Sequence, residues 1–182
     1  MRFRIVPGYP DYHPEHPGGK PGGGRSLECD LVSWDSVGEW KDRLSNTGRT
    51  MPLRLAETTL GGAVSNPPAE VLVERSKKNL KGMGAGLVAG LLHACLERGV
   101  EPVTGARATE LLVEDGRVVG VHITIDGESV EVRARKGVII ATGGFAANLD
   151  LVRASWPKPI PVPERLLIGG GFFATGSATG GC

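Results

Sequence analysis

Two Asp-Gly pairs, each set between runs of Val, Ile and Leu, place the strongest constraint on how this chain can fold. The pairs are Asp115-Gly116 and Asp126-Gly127. Both residues of such a pair accept positive φ, which makes the pair the strongest short-range signal for a β-hairpin turn. Between residues 118 and 132 the apolar side chains recur with a period of two, which predicts strands with one covered and one solvated face. Two successive hairpins predict an antiparallel β-meander.

A short apolar run follows this meander. Residues Val138–Ala141 do not alternate, and the run ends in Thr142-Gly143-Gly144. This pattern predicts a strand buried on both faces, whose carboxyl end lacks side chains so that a ligand can approach the backbone. Ligands of parallel α/β sheets bind at that edge. Ala141, Thr142, Gly143 and Gly144 are therefore candidate ligand-binding residues.

A helix is predicted before the meander. After Gly82, apolar residues recur at helical spacing, and Gly99 has the position of a C′ residue. We expect the apolar face of this helix to pack on a sheet and a parallel strand to follow over residues 100–103. The Gly84-Ala85-Gly86 sequence at the helix start allows either an anion site or simple close packing. The apolar residues are Leu87, Val88, Leu91, Leu92, Cys95 and Leu96.

Two further helices are predicted from capping signals. Asn148 can cap a short helix that runs through Val152. A second short helix is expected over residues 36–44, with Asp35 or Ser36 as its N-cap and with Trp34 and Trp40 as anchors. Residues 51–66 have no clear pattern, Pro67-Pro68 indicates an extended linker or a surface loop, and the basic run 74–81 indicates a solvated surface.

The amino-terminal loop holds the histidines and tyrosines that a metal or catalytic site would need. Residues 3–6 can form a short strand, but the proline and glycine content of residues 7–24 prevents its continuation. Pro14 and Pro17 oppose a helical turn that would join His13 to His16. We therefore expect solvated loop histidines here and no metal site. Tyr12 fits either a packing role or a functional one.

Composition excludes some classes of function. The 182 residues carry a net charge of +1, which gives no electrostatic basis for binding nucleic acid or an acidic membrane. No apolar run is long enough for a membrane span, and the amino end lacks the apolar segment of a signal peptide. Cys29, Cys95 and Cys182 are an odd number without paired spacing, which favours free thiols, a reducing compartment and a cytoplasmic location.

Five stretches in a fixed order carry a family resemblance: PDYHPE, GGGRSLE, ERGVEP, LLVEDGRVVGV and GVIIATGGFAANLDLV. Together they resemble the flavoproteins that include 3-ketosteroid Δ1-dehydrogenases and the flavoprotein subunits of fumarate reductase and succinate dehydrogenase. The likeness covers Phe3 to about Trp156 and is strongest for the ketosteroid dehydrogenase branch. It implies an α/β fold, with part of a Rossmann-like FAD-binding domain, an inserted antiparallel β-meander and an incomplete chain.

The resemblance also implies roles for particular residues. Ala106 and Arg107 match positions that bond the adenine of FAD through main-chain groups, and the Ala141–Gly144 turn matches a segment that lies against the cofactor. Tyr12 matches the tyrosine of the family's PDY motif, which helps a second tyrosine to take a proton from the steroid while hydride passes to FAD. A phenol with a pKa near 10 is a poor base alone, so a partner hydroxyl is needed. No residue of this chain matches that second tyrosine.

The chain departs from the family in ways that leave several functions open. It lacks the G-x-G-x-x-G strand and the capping domain, and Ser177 stands where the family has an acidic residue. The expected function is an FAD-dependent dehydrogenase acting on CH–CH groups of a small ketone or enone, present as a fragment. A truncated inactive product, a fumarate reductase-like flavoprotein and a Pro/Gly-rich interaction module are the alternatives. The expected divisions are residues 1–81 (loop-rich), 82–156 (FAD-binding part) and 157–182 (Gly/Pro-rich tail).

Overall fold

The computed structural model describes residues 1–44, 50–162 and 164, and it divides into two compact units, Met1–Pro102 and Val103–Cys182. The first unit contains two small antiparallel sheets, β1 with β2 and β3 with β4. It also holds two α-helices, α1 and α2, and three 3₁₀ segments. The elements are β1 (Phe3–Ile5), β2 (Leu27–Cys29), β3 (Val32–Ser33), β4 (Leu80–Lys81), α1 (Ala69–Lys77) and α2 (Met83–Leu96), with 3₁₀ segments at Trp34–Arg43, Leu55–Glu57 and Thr59–Gly61.

The core of the first unit forms where α2 packs on the Trp34–Arg43 segment. Buried Trp34 and Val37 meet Ala89 and Leu92, and Trp40 packs at the edge of this cluster. The predicted helix is present only as two 3₁₀ pieces, which a kink at Gly38 with φ +57° separates, and both tryptophans anchor the segment. Its N-cap is Ser33, whose Oγ accepts the N–H of Asp35, rather than the expected Asp35 or Ser36.

Helix α2 has the predicted position but buries a different face. Its buried residues are Gly86, Ala89, Gly90 and Leu92. The prediction that the face with the large apolar residues is buried is wrong in the described structure, because Val88 and Leu91 remain 53% and 51% exposed. Small residues allow closer contact than large ones do, as Gly86 illustrates: a Cβ there would lie 2.6 Å from the carbonyl oxygen of Lys81. This contact favours the close-packing interpretation of the Gly84-Ala85-Gly86 sequence.

The end of α2 is confirmed at Gly99. This residue has φ +69° and donates its N–H to the carbonyl of Leu96, while the N–H of Val100 bonds the carbonyl of Cys95. These two bonds define a Schellman motif with glycine at C′. The expected divisions group helix α2 with the meander, whereas α2 lies in the first unit. The expected domain boundary after residue 81 stays a prediction.

The loop after β1 is tied down by contact between two glycines. Gly8 donates its N–H to the carbonyl of Gly61 at 3.0 Å. A Cβ on Gly8 would lie 2.4 Å from the Cα of Gly62, and a Cβ on Gly62 would lie 2.7 Å from the Cα of Gly8. Backbone thus touches backbone between the amino-terminal loop and the Thr59–Gly61 segment. The Pro67-Pro68 pair leads directly into α1, for which Pro68 is the N-cap.

The second unit is built on the predicted meander, which the structure confirms. Strands β5 (Arg107–Glu114), β6 (Arg117–Ile125) and β7 (Glu128–Arg133) form an antiparallel sheet in the order β5-β6-β7. Both Asp-Gly pairs occupy its turns with positive φ, at 48° and 74° for Asp115 and Gly116 and at 51° and 86° for Asp126 and Gly127. Positive φ at both central residues defines a type I′ turn, which matches the twist of the paired strands.

The apolar face of this sheet lacks the expected cover within the described residues. Leu111 pairs with Val121, which pairs with Val132, so these three side chains form a row across the sheet. Leu111 and Val132 nonetheless remain 37% and 42% exposed. The strands and their antiparallel pairing were predicted correctly, but β5 and β7 show neither alternating burial nor a covered face in the part of the chain that the structure describes.

The two expected parallel strands are absent from the described structure. Residues 100–103 and Val138–Ala141 have no regular secondary structure, and Ile139 is 91% exposed. The physical reason is that a strand exists only within a ladder of hydrogen bonds, and no described strand runs beside either segment. An apolar run can therefore indicate that a segment is suited to a strand, but it does not show which other strand would pair with it.

A third helix, α3 (Leu149–Ser155), follows this segment. Oδ1 of Asn148 accepts the N–H groups of Asp150 and Leu151 at 3.2 Å, which confirms the predicted cap. The helix continues past the expected end at Val152. The expectations for the tail lie mainly outside the described residues, including the one at Ser177.

The structure tests the expectations on the cysteines and on membrane spans. Cys29 and Cys95 are free thiols, as expected, while Cys182 lies outside the described residues. In the portion of the chain with described coordinates, no helix combines the length and the apolar character needed to cross a membrane.

Candidate functional site

The amino-terminal loop brings the only two tyrosines of the chain together. The hydroxyl of Tyr9 lies 3.5 Å from the hydroxyl of Tyr12, with Tyr9 as donor, and the rings meet edge to face with centroids 6.2 Å apart. Tyr12 is 86% exposed, so its hydroxyl is accessible to a ligand. Sequence reasoning identified Tyr12 and missed Tyr9, although only Pro10 and Asp11 separate them.

The hydrogen bond between the tyrosines changes the acidity of one of them. It raises the pKa of Tyr9 above its ordinary value, and electrostatic repulsion from Tyr12 and partial desolvation act in the same direction. Tyr9 therefore keeps its proton and remains a hydrogen-bond donor to Tyr12. A phenol that accepts such a bond is better able to carry developing negative charge than one in water alone.

Asp11 holds the loop between the two tyrosines in place. Its carboxylate accepts the N–H of Lys20 at 2.8 Å and two bonds from the guanidinium of Arg25. The Arg25 bonds, followed by the Lys20 bond, lower the pKa of Asp11, so the carboxylate stays ionised at neutral pH. This ion pair joins the start and the end of the loop, and the spacing of fourteen residues gave no sequence signal for it.

The same loop forms a turn that the sequence-based expectation excluded. The N–H of His16 donates to the carbonyl of His13 at 3.2 Å, and the two imidazole rings lie 5.5 Å apart. Pro14 and Pro17 do prevent a helix, but they are compatible with this non-helical turn. The expectation that the prolines keep the imidazoles apart is therefore wrong, and geometry no longer excludes a metal at this position.

The candidate cofactor residues lie in the second unit. Ala106 is half-buried just before β5 and Arg107 is its exposed first residue, whereas Ala141, Thr142, Gly143 and Gly144 form an exposed segment between β7 and α3. No hydrogen bond joins these two groups among the described residues. Gly143 has φ +76°, and a Cβ built at Gly143 or Gly144 would meet no atom within 4 Å. The backbone of this turn is thus open to a ligand, and the roles of all six residues stay predictions.

A cavity of about 440 Å³ begins at this turn. Its wall includes the indole of Trp156, whose Nε1 is buried and has no hydrogen-bond partner among the described residues. A buried donor without a partner is costly, so the site favours a ligand that supplies an acceptor. The lining residues are Gly144, Phe145, Ala146, Val152, Ser155 and Trp156.

The open glycine turn adjoins a cavity that holds an unpartnered indole donor, and both features suit a nucleotide ligand. The sequence matches the family described as FAD binding domain over residues 23–167, and the chain belongs to this family. FAD is the cofactor of the family. Similarity to three particular proteins extends this assignment.

The chain is 36% identical to 3-oxosteroid 1-dehydrogenase of Mycolicibacterium smegmatis over 93% of its own length and 33% of the relative's. It also resembles the crystal structure of 3-ketosteroid delta1-dehydrogenase from Sterolibacterium denitrificans in complex with 1,4-androstadiene-3,17-dione. That likeness has a TM-score of 0.67 at 25% identity and covers 97% of this chain and 35% of the other. The resemblance to this flavoprotein family and the mixed α/β fold are thereby confirmed.

A third relative is named after a different reaction. NADH:acrylate oxidoreductase of Vibrio harveyi is 31% identical over 47% of this chain and 9% of the relative. The shorter match fits the alternative of a reductase less well than the longer match fits a dehydrogenase. In each of these comparisons the chain spans about a third or less of the relative's length.

The described residues fit FAD on two observations. The open backbone at Gly143 and Gly144 accommodates the close approach that a pyrophosphate or a ribose needs. The unpaired donor of Trp156, set in a mostly apolar cavity, suits a flat ring with polar acceptors at its edge. Gly144 contributes to both features, so the two observations concern one site.

Proposed function

We propose that this chain is part of an FAD-dependent oxidoreductase that removes two hydrogens from adjacent carbon atoms beside a ketone, with a 3-oxosteroid as substrate. Family membership and the long match to 3-oxosteroid 1-dehydrogenase support the reaction class. The single observation that carries the proposal is the hydrogen-bonded pair of Tyr9 and Tyr12 in an exposed loop. Proton abstraction next to a carbonyl by a further hydroxyl group is helped by such a pair, since one phenol alone is a weak base.

The two phenols divide the work in this proposal. Tyr9 keeps its proton and donates it in a hydrogen bond to the oxygen of Tyr12. Tyr12 can then donate its own proton in a hydrogen bond to the ionised oxygen of a further hydroxyl group, which stabilises the negative charge of that oxygen before it takes a proton from the substrate. The substrate loses one proton to this base and one hydride, and a C=C bond forms. FAD, when bound, accepts the hydride.

An ion pair and a hydrogen bond fix the loop that carries the tyrosines. The Asp11–Arg25 ion pair and the bond from Lys20 fix the backbone between the two phenols. Preorganised donors are more effective than mobile ones, because their ordering entropy is lost on folding and not during reaction. We propose that the protein acts in the cytoplasm, in keeping with its free Cys29 and Cys95 thiols.

One experiment tests the cofactor and the reaction separately. Purified protein is titrated with FAD and followed by flavin fluorescence, and then a 3-oxosteroid saturated at C1–C2 is added without oxygen. We expect saturable binding of FAD, followed by bleaching of the absorbance band that oxidised flavin has at about 450 nm. Protein that does not bind FAD would contradict the flavin assignment.

Binding of FAD without bleaching by the steroid would favour the second candidate, a chain that holds the cofactor but does not turn over. Reoxidation of chemically reduced flavin by acrylate or fumarate would instead favour the reductase branch.

A further inference from the structure

Three ligating side chains converge at one turn of the amino-terminal loop. Nδ1 of His13 lies 3.3 Å from Oε1 of Glu15, and Nε2 of His16 lies 4.0 Å from the same oxygen. All three ligand atoms lie within 4.8 Å of one another. We propose that His13, Glu15 and His16 form a binding site for a divalent transition metal ion such as Zn²⁺.

The spacing of the ligand atoms suits a tetrahedral ion. Bonds of roughly 2.0–2.1 Å at tetrahedral angles place neighbouring ligand atoms about 3.3 Å apart. The His13–Glu15 distance of 3.3 Å already has this value. His16 lies 4.0 Å from the carboxylate, and no two of the three ligand atoms are more than 4.8 Å apart, so shifts of about 1.5 Å or less bring all three to this spacing, which rotation of exposed side chains provides.

The backbone of the turn is fixed before any metal binds. The N–H of Gly19 donates to the carbonyl of His16 at 2.8 Å. A Cβ at Gly19 would lie 2.7 to 2.9 Å from the carbonyl oxygens of Pro14, His13 and His16, so only glycine allows the chain to fold back over this turn. Asp11 and Lys20 close the base of the turn through two main-chain N–H donations, at 2.8 and 3.2 Å. Less ordering entropy is therefore lost when the ion binds.

The donor set selects the class of ion. Two imidazoles and one carboxylate suit Zn²⁺, Co²⁺, Ni²⁺ or Cu²⁺, whereas Mg²⁺ and Ca²⁺ prefer oxygen ligands alone. The side chains of His13, Glu15 and His16 are 75%, 68% and 70% exposed. Water can thus supply the fourth ligand, and the ion approaches without opening the fold. An open fourth position is typical of zinc sites with three protein ligands.

The test uses the purified chain without FAD and without an affinity tag, so that its result is independent of the proposed function. The metal-free protein is titrated with Zn²⁺ by calorimetry, and Co²⁺ is added separately to record its visible absorption. We expect one saturable Zn²⁺ site and a Co²⁺ spectrum of tetrahedral intensity. His13→Ala, Glu15→Gln and His16→Ala should each weaken Zn²⁺ binding by at least about tenfold.

His93→Ala is the matched control. His93 also lies beside a glutamate, with its Nε2 3.5 Å from Glu97, but this pair has no third ligand among the described residues. The control should bind Zn²⁺ as the unaltered chain does, and far-UV circular dichroism should show that all variants fold alike. The proposal is overturned if Zn²⁺ does not bind saturably, or if the three loop variants retain the unaltered affinity.

Discussion

Arg75 donates two parallel hydrogen bonds of 2.8 Å to the two carboxylate oxygens of Glu57, which lies eighteen residues earlier in the chain. Arg54 adds a third bond of 2.8 Å to Oε1 and its backbone N–H a fourth to Oε2. Burial raises the pKa of Glu57, but these four bonds outweigh it and lower the pKa to about 2. The fork-to-fork geometry of Arg75 and Glu57 is among the strongest ion-pair arrangements in proteins.

Replacing this carboxylate should destabilise the first unit. Glu57→Gln keeps the shape but removes the counter-charge of Arg75 and leaves Arg54 with Asp30 at 3.5 Å, so we expect a loss of about 2 kcal/mol in the free energy of unfolding at pH 7, less than for a fully buried pair. Urea denaturation followed by the fluorescence of buried Trp34 measures this loss. Glu74→Gln, which removes an exposed i,i+4 pair with Lys78, is the control and should keep the unaltered midpoint.

The pH dependence of the same contact has a defined sign. The folded-state pKa of Glu57 lies below the ordinary value of 4.5, so its stabilising contribution is complete above about pH 4.5 and is lost as pH falls towards 2. The difference in unfolding free energy between the unaltered chain and Glu57→Gln should therefore shrink over this window. A difference that stays constant down to about pH 2.5 would contradict the assignment.

The type I′ turns of the meander give a prediction for the second unit. Gly116 has φ +74° and open space around it, so Gly116→Ala should cost about 1 kcal/mol through backbone strain alone. Asp115→Asn should have little effect, because asparagine accepts positive φ equally well. Amide hydrogen exchange measures the effect. We expect faster exchange in residues 107–125 of the alanine variant but not of the asparagine variant. Equal protection in both variants would show that the turn does not limit the stability of the hairpin.

The N-cap of α3 offers a third test. Asn148 accepts two main-chain N–H groups through Oδ1, so Asn148→Ala should cost about 1 kcal/mol of helix stability. Asn148→Asp retains the acceptor and adds a charge that favours the helix N-terminus, and it should match or exceed the unaltered residue. Amide exchange at residues 150–153 reports on the helix directly. An alanine variant with unchanged exchange would mean that other contacts determine the start of the helix.

The tyrosine pair gives a spectroscopic prediction. Because Tyr12 raises the pKa of Tyr9, Tyr12→Phe should return the pKa of Tyr9 towards its ordinary value near 10. The variant contains one tyrosine, so its phenolate absorbance at about 295 nm follows Tyr9 alone. We expect the component that titrates above pH 10 in the unaltered chain to disappear in the variant. If the pKa of Tyr9 is equally high in the Tyr12→Phe variant, the proposed hydrogen bond from Tyr9 to Tyr12 loses its support.

Local signals in the sequence predicted local structure well. The Asp-Gly turns, the Gly99 C-cap and the Asn148 N-cap each depend on a few neighbouring residues, and all three are confirmed. The strand expected at Val138–Ala141 depends on a partner strand far away in sequence, and hydrophobicity alone does not provide one. The wrong face of α2 has a related cause, since periodicity detects large apolar residues but not close packing through Gly86 and Gly90.

The candidate site was predicted unevenly for similar reasons. Tyr12 was identified from a family motif, and its neighbour Tyr9 was missed because no motif includes it. The turn at His13–His16 was excluded by a rule on proline in helices, which does not apply to a non-helical turn. The Asp11–Arg25 pair joins residues too far apart in sequence for any pattern to relate them. Cofactor roles for residues 106–107 and 141–144 stay predictions that a flavin-bound structure would test.

The mutual contact of Gly8 and Gly62 has a consequence for sequence variation. Each Cα occupies the space that a methyl group on the other would need, and Gly62 also has φ +97°. A larger residue at one site cannot be compensated by a smaller one at the other, because both are already the smallest residue that proteins contain. In a saturation library selected for correct folding, these two positions should thus show no tolerated substitution, and pairwise combinations should rescue none.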